Sequence, residues 1–192
     1  MARRPAPETP GPGQESVWDY PRPPRVEPSS DSLEVWLGGV RIAATTRSLR
    51  VLETSHPPAY YLPADDFEPG ALRPTEGSSW CEFKGTAAYL DVAGGDAVAP
   101  RAAWTYPRPT TGFGSLRGHV AVMPGAMDRC VVDGEVVTPQ AGGFYGGWIT
   151  STVVGSTLSP CSATDFSVPW IRLSSWFRAS TSSRRSLSAS AF

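Results

Sequence analysis

Proline and glycine interrupt this chain from one end to the other, and they constrain its fold more than any other feature. The 192 residues include 20 prolines and 19 glycines, a larger share than ordinary globular chains carry. Proline lacks a backbone N–H and fixes φ, whereas glycine adopts the backbone angles that tight turns require. The pattern therefore predicts many turns, short strands and no long helix.

Apolar and polar residues alternate between these turns, as they do in strands that bury one face. Residues 31–46 predict a hairpin around Gly38-Gly39, and residues 129–137 predict another across Asp133-Gly134. Residues 80–92 predict a third hairpin with a tight glycine turn. We therefore expect an all-β fold, a single compact, sandwich-like domain of about eight to ten short antiparallel strands.

Composition divides the chain into three parts. Residues 1–14 are rich in proline and glycine, and they are predicted to be disordered because they supply little apolar surface to bury. Residues 15–155 carry the strand patterns and form the predicted β domain. Residues 156–192 are rich in serine and arginine without an apolar period, so they are predicted to be a disordered, dispensable tail.

Charge and segment composition argue against several functional classes. The formal net charge is −1, and no stripe of basic and aromatic residues marks a nucleic-acid surface. No apolar run reaches the length of a membrane span, and the N-terminus lacks the apolar core of a secretory signal. We therefore expect a cytoplasmic protein that binds neither nucleic acid nor membrane, while its oligomeric state stays open.

The stretch ETSHPPAYYLP, residues 53–63, concentrates the polar chemistry of the chain. Its three prolines stiffen the backbone, so its polar side chains are held at fixed angles. Glu53 and His56 are candidate acid–base residues, and Cys81 is a candidate nucleophile if a nearby cation lowers its thiol pKa. The alternatives are a connector whose tyrosines pack on the core, a histidine that only lines a wall, and a cysteine that is simply buried.

Further polar and aromatic residues are candidates for contacting a ligand. Lys84 is the single lysine beside sixteen arginines, so its compact ammonium group is interpreted as a specific requirement. Arg50 is a candidate for holding an anion, with surface pairing to Glu53 as the alternative. The predicted ligand-binding residues are Arg50, Ser55, Tyr60, Lys84, Tyr89, Trp104 and Tyr106.

A Trp-x-Tyr-Pro segment occurs twice, at residues 18–21 and 104–107. The two copies predict matching aromatic walls. Their rings, together with Tyr145 and Trp148, could stack on a flat ligand, and packing in the core is the alternative.

Spacing argues against a metal site and against a phosphate-binding loop. His56, His119 and Cys81 are far apart in sequence, and no short-spaced pair of ligands exists. No Gly-x-x-x-x-Gly precedes Lys84-Gly85, as a P-loop would need. We therefore assign no metal, and the sequence leaves any cofactor unknown.

Five segments occur in a fixed order along the chain: VWDYPRPP, RVLETSHPPAYYLP, CEFKGTAAYLDV, AAWTYPRP and FYGGWITSTVVG. Together they resemble the domain of unknown function 427 family, which is also labelled nucleotidyltransferase-like. The resemblance covers about residues 15–155. It implies a small, mainly β domain with twisted sheets, similar to β-tent folds, and it implies no established activity.

Three functions are open on this basis, and the sequence leaves undecided whether the protein is an enzyme. One is a binding domain for a small molecule, such as a nucleotide or another anion, in a pocket between residues 50–61 and 81–91. Another is a nucleotidyltransferase-like or hydrolytic enzyme, with Glu53, Glu82 and Asp91 as the nearby carboxylates. The third is a structural or interaction module whose aromatic residues bind a proline-rich partner.

Overall fold

The computed structural model describes residues 9–142 and 145–155, and over these residues the fold is all-β. They form fifteen strands, ten of which have four or more residues. The strands are β1 (Glu15–Ser16), β2 (Arg25–Ser29), β3 (Leu33–Leu37), β4 (Val40–Thr45), β5 (Ser48–Leu52), β6 (Ala59–Pro63), β7 (Leu72–Cys81), β8 (Gly85–Gly94), β9 (Ala97–Thr105), β10 (His119–Val122), β11 (Arg129–Val132), β12 (Glu135–Val136), β13 (Thr138–Pro139), β14 (Trp148–Ile149) and β15 (Val153–Val154). The expected fold class is therefore confirmed.

Two antiparallel sheets contain most of the strands. The larger has seven strands in the order β2-β5-β6-β10-β9-β8-β7, and the smaller has the order β12-β11-β3-β4. All three predicted hairpins are present, as β3–β4, β7–β8 and β11–β12. Glycines or Asp133-Gly134 lie at their turns, because these residues accept the backbone angles that close a hairpin.

The main hydrophobic core contains residues from both sheets. Leu33, Val35 and Ile42 from the smaller sheet are buried in one cluster with Leu62 and Val120 from the larger sheet. Because side chains alternate along a strand, neighbours in β6 lie on opposite faces of the sheet. Tyr60 belongs to this main core, whereas Tyr61 belongs to a second cluster.

The second cluster lies on the other face of the larger sheet. Tyr61 and Ala121 are buried there with Phe113 and Leu116. Phe113 and Leu116 belong to a short 3-10 segment, Thr111–Leu116. The remaining helical turns are Val17–Asp19, Ala64–Asp66 and Pro124–Ala126. Within the described ranges, none of these helices has the length or apolar character needed to cross a membrane.

The two ends of the described chain pair with each other. β1 and β15 form a parallel pair, and Gln14 Nε2 donates a hydrogen bond of 2.8 Å to the carbonyl of Ser151. Val17 and Val153 are buried together in a small third cluster. The predicted domain limits at residues 15 and 155 stay predictions, and the predicted tail, 156–192, lies outside the described residues, as do residues 1–8.

Trp148→Ala tests whether the C-terminal segment is an integral part of the core. The Trp148 side chain is fully buried, and its ring centroid is 5.2 Å from that of Tyr60. Its removal should lower the free energy of unfolding by about 3–5 kcal/mol, as measured by urea denaturation. Trp80→Ala is the matched control, because Trp80 is 57% exposed, and it should cost roughly 0.5 kcal/mol. Equal losses in the two variants would contradict this role of Trp148.

Candidate functional site

The loop between β5 and β6 carries Glu53 and His56, and backbone hydrogen bonds fix its position. Ser55 N donates to the carbonyl of Val17 at 2.8 Å, and Thr54 N donates to that of Pro21 at 3.3 Å. Thr54 Oγ1 also donates to the carbonyl of Tyr20. The loop is therefore held against the N-terminal segment, and the strand it leads into, β6, begins directly after Pro57-Pro58.

His56 is held in one tautomer. Its Nδ1 lies 2.9 Å from the carbonyl oxygen of Thr54, and a carbonyl only accepts, so Nδ1 carries the proton. Burial lowers the pKa of His56, as do the charges of Arg22 and Lys84, whereas the bond to Thr54 and the charge of Glu53 raise it. The net shift is downward, so the neutral ring presents Nε2 as a hydrogen-bond acceptor near pH 7.

Arg22 joins the His56 loop to the β7–β8 turn. Its guanidinium donates to Glu53 through Nη1 and to Glu82 through Nη2, the latter at 2.8 Å. The guanidinium carbon lies 5.1 Å from the centre of the Phe83 ring. Because the Glu53 side chain is only 15% exposed, this pairing compensates a carboxylate that is largely removed from water.

Lys84 lies at the end of the same turn, immediately before β8. Thr110 holds this turn, since its N donates to the carbonyl of Lys84 at 3.2 Å and its Oγ1 donates to that of Phe83. Within residues 9–142 and 145–155, the Lys84 side chain makes no ion pair or hydrogen bond. It is nevertheless close enough to His56 for its charge to lower the pKa of that ring.

Tyr145 supplies an aromatic ring beside His56. The two ring centroids are 3.9 Å apart, with an angle of 46° between the planes. The next residue, Gly146, has φ of +60°, and a Cβ there would lie 2.5 Å from Cη2 of Trp104. Glycine is therefore needed for this segment to approach Trp104. We call the assembled group the His56 cluster; it comprises Arg22, Glu53, His56, Glu82, Lys84 and Tyr145.

Several predicted site residues pack next to the His56 cluster. Trp104 Nε1 donates to Tyr61 Oη at 3.0 Å, and the ring of Tyr106 lies 6.4 Å from that of Tyr61. Cys81 is partly buried and packs against the same cluster of rings. Burial and the neighbouring Tyr61 and Cys81 raise the pKa of Tyr106, so its phenol stays protonated. Cys81, Trp104 and Tyr106 therefore adjoin the site from the second hydrophobic cluster.

Arg50 and Tyr60 lie together at a different place. They are direct partners across β5 and β6, and both line a cleft of about 320 Å³. The Arg50 guanidinium pairs with Glu15 and Glu27, so the considered pairing of Arg50 with Glu53 is wrong. Arg50 and Tyr60 lie on the opposite face of the sheet from Tyr61, because side chains alternate along a strand.

The polar groups of this cleft mostly satisfy one another. Tyr60 Oη donates to Asp31 at 3.1 Å, and the Ser151 backbone N donates to Glu135 at 2.6 Å. The Arg50 side chain is only 20% exposed between its two carboxylates. Its arrangement fits a structural ion pair better than an open anion site.

The other predicted contacts are also dispersed. The guanidinium carbon of Arg101 lies 4.6 Å from the centre of the Tyr89 ring. Ser55 adopts φ of +68°, and its backbone N bonds Val17. The two Trp-x-Tyr-Pro segments do not form a shared wall among the described residues, because Tyr20 and Tyr106 belong to separate buried clusters.

Arg22 and Glu82 were not among the predicted ligand contacts, and Tyr145 was predicted only as a ring that could stack on a flat ligand. Arg22 and Tyr145 are far from His56 in sequence, and only tertiary structure brings them together. Glu82 appeared only as a carboxylate for an enzyme. One sequence feature could have indicated Arg22. It lies between prolines in YPRPP, and these prolines restrict the backbone from which its side chain extends.

No group of three or more His, Cys, Asp or Glu side chains in the described part of the chain is placed to hold a metal ion.

Comparison with protein families matches residues 25–133 to the family described as "Domain of unknown function (DUF427)". The chain therefore belongs to this family, and the resemblance noted from its motifs is confirmed. No curated protein matches the chain. Arg22 and Tyr145 both lie outside the matched residues, on the two terminal segments.

Acidification should destabilise the fold through His56. The pKa of His56 in the folded chain is below the ordinary 6.5. Below pH 6.5 the imidazole is therefore protonated more readily in the unfolded chain than in the folded one, and protonation favours unfolding. The contribution of neutral His56 to the free energy of unfolding is fully present above pH 6.5 and is lost as the pH falls toward the pKa of His56 in the folded chain. Urea denaturation between pH 7 and 5 should show the fall, and His56→Gln should remove part of it.

His119→Gln is the matched control, because His119 is the other histidine of the chain. This variant should retain the fall in stability. The same pH profile in wild type and His56→Gln would contradict the role given to His56.

Proposed function

We propose that the His56 cluster binds a small anionic molecule that also carries a hydrogen-bond donor. The observation that carries this proposal is the position of Lys84, a cation near His56 that makes no ion pair in the described part of the chain. An ammonium group in such a place attracts a carboxylate or phosphate, since charge-assisted hydrogen bonds are the strong ones.

The fixed tautomer of His56 supports the second half of the proposal. Nδ1 is bound to the carbonyl of Thr54, so Nε2 is left as an acceptor. An acceptor beside an ammonium group suits a ligand with an anionic end and a neighbouring O–H or N–H. Glu53 and Glu82 do not oppose the anion fully, because Arg22 pairs with both of them.

Aromatic side chains supply apolar surface at the same place. The Tyr145 ring is 45% exposed and lies beside His56, and the segment that carries it packs on Trp104. A flat ligand group would gain contact there by stacking on the phenol ring. We therefore favour a small anion with a planar part and an O–H or N–H group, such as a nucleoside monophosphate or a hydroxybenzoate.

Lys84→Ala should weaken anion binding. Calorimetric titration of the full chain with inorganic phosphate, nucleoside monophosphates and 4-hydroxybenzoate should identify a binder. Loss of a hydrogen bond to a charged group costs about 1.5–3 kcal/mol, so the affinity should fall roughly 10- to 150-fold. Assays of the same mixtures for products test the enzymatic alternative, in which His56 acts as the base and His56→Gln abolishes turnover.

Arg117→Ala is the matched control, because Arg117 is an exposed cation outside the His56 cluster. Its affinity for the same anion should be that of the wild type. If none of these anions binds the wild type, or if both variants lose affinity equally, the proposal is wrong and the interaction-module alternative gains support.

A further inference from the structure

Arg22 pairs with two members of the His56 cluster that are far from it in sequence, Glu53 and Glu82. These glutamates come from two different connections of the sheet, and Arg22 also lies over Phe83. It is supplied by the N-terminal segment, outside residues 25–133 that match the family. The cation that pairs with both glutamates is therefore supplied by a segment outside the matched residues.

Glu53 depends on this contact. Its side chain is largely buried, and Arg22 is its one ion-pair partner among the residues that the structure describes. A buried carboxylate without a partner is costly, and a neighbouring imidazole can relieve that cost by taking up a proton. Removal of Arg22 would therefore favour a charged His56 paired with Glu53 in place of a neutral one.

The charges that act on His56 oppose one another. Besides burial, Glu53 raises the pKa of His56, while Arg22 and Lys84 lower it, and the Tyr145 ring packs against the imidazole. Arg22 therefore acts on His56 twice, by its own charge and by pairing with Glu53.

We propose that Arg22 determines the specificity of the His56 cluster: by binding Glu53 and Glu82 together, it leaves Lys84 to receive an anion and Nε2 of His56 to accept a hydrogen bond from the same ligand. This inference rests on the proposed function of the cluster and names the residue that makes an anion acceptable there. Without Arg22, and at a pH above the pKa that His56 then has, two carboxylates face one lysine, and the site favours a cation.

The planar guanidinium is essential to this role. Its Nη1 and Nη2 each reach a different carboxylate, which a fork of fixed geometry can do and a single ammonium group does less well. Lysine at this position would keep the charge but would not hold both glutamates in place equally well.

The first arm of the test is an NMR titration of the His56 imidazole in the full chain. In Arg22→Gln the pKa of His56 should rise, because a positive charge is lost and Glu53 is left unpaired. Arg25→Gln is the matched control. Arg25 lies three residues further on, is exposed to the same degree as Arg22 and pairs with Glu27 at 3.2 Å, so its loss should leave the titration unchanged.

The second arm compares two probes of similar shape and opposite charge, 4-hydroxybenzoate and 4-hydroxybenzylamine, at a pH above the pKa that the first arm measures for His56. Arg22→Gln should lose about tenfold in affinity for 4-hydroxybenzoate and gain affinity for 4-hydroxybenzylamine, whereas Arg25→Gln should match the wild type. In Arg22→Lys, both the pKa of His56 and the affinities for the two probes should lie between those of the wild type and those of Arg22→Gln. Arg22→Lys also serves as the second variant if Arg22→Gln does not fold.

The outcomes separate this inference from the proposed function. An unchanged pKa of His56 in Arg22→Gln, or in Arg22→Lys if the glutamine variant does not fold, overturns the inference whether or not an anion binds. A raised pKa with no 4-hydroxybenzoate, phosphate or nucleotide binding by the wild type supports the charge role of Arg22 and overturns the proposed function alone. A raised pKa with an unchanged preference between 4-hydroxybenzoate and 4-hydroxybenzylamine overturns the specificity claim.

Discussion

The hydrogen bonds between the β5–β6 loop and the N-terminal segment determine the rest of the site. Thr54 and Ser55 donate three hydrogen bonds to carbonyls within residues 17–21. These bonds satisfy backbone groups that have no strand partner. They also place the N-terminal segment so that Arg22 meets Glu53, and they hold the Thr54 carbonyl against which the ring of His56 is oriented. The same hydrogen bonds therefore account for the position of the β5–β6 loop, the tautomer of His56 and the pairing of Arg22 with Glu53.

Among the residues that the structure describes, an arginine pairs with two carboxylates at two places. Arg22 joins two glutamates at the His56 cluster, and Arg50 joins two others on the far face of β5. Each arrangement compensates charges that are partly removed from water, and removal of one partner would leave the others uncompensated. Lys84 is different, because it belongs to neither network. The single lysine of a chain that otherwise uses arginine thus lies where no carboxylate of the described residues pairs with it.

The sequence predicted local features well because their causes are local. Glycine pairs and alternating apolar residues identified the hairpins. The predicted residues Glu53 and Lys84 lie close enough to His56 for their charges to act on its pKa. Arg50 was grouped with them although strand alternation turns it to another face, and alternation can be read only once the strand and its register are known. Arg22 could not be assigned, since its contacts depend on hydrogen bonds between the N-terminal segment and the β5–β6 loop, which are more than thirty residues apart in sequence. These bonds join irregular segments, which show no period in the sequence.

Amide hydrogen exchange of Ser55 most directly tests the claim that the N-terminal segment holds the His56 loop. Its N–H donates to the carbonyl of Val17 at 2.8 Å, so it should exchange as slowly as the amides inside β5 and β6. In the variant Val153→Asp, which places a charge in the small cluster that Val17 and Val153 share, this protection should be lost while β6 stays protected. Exchange of the Ser55 amide at the rate of an unstructured peptide in the wild type would contradict the account.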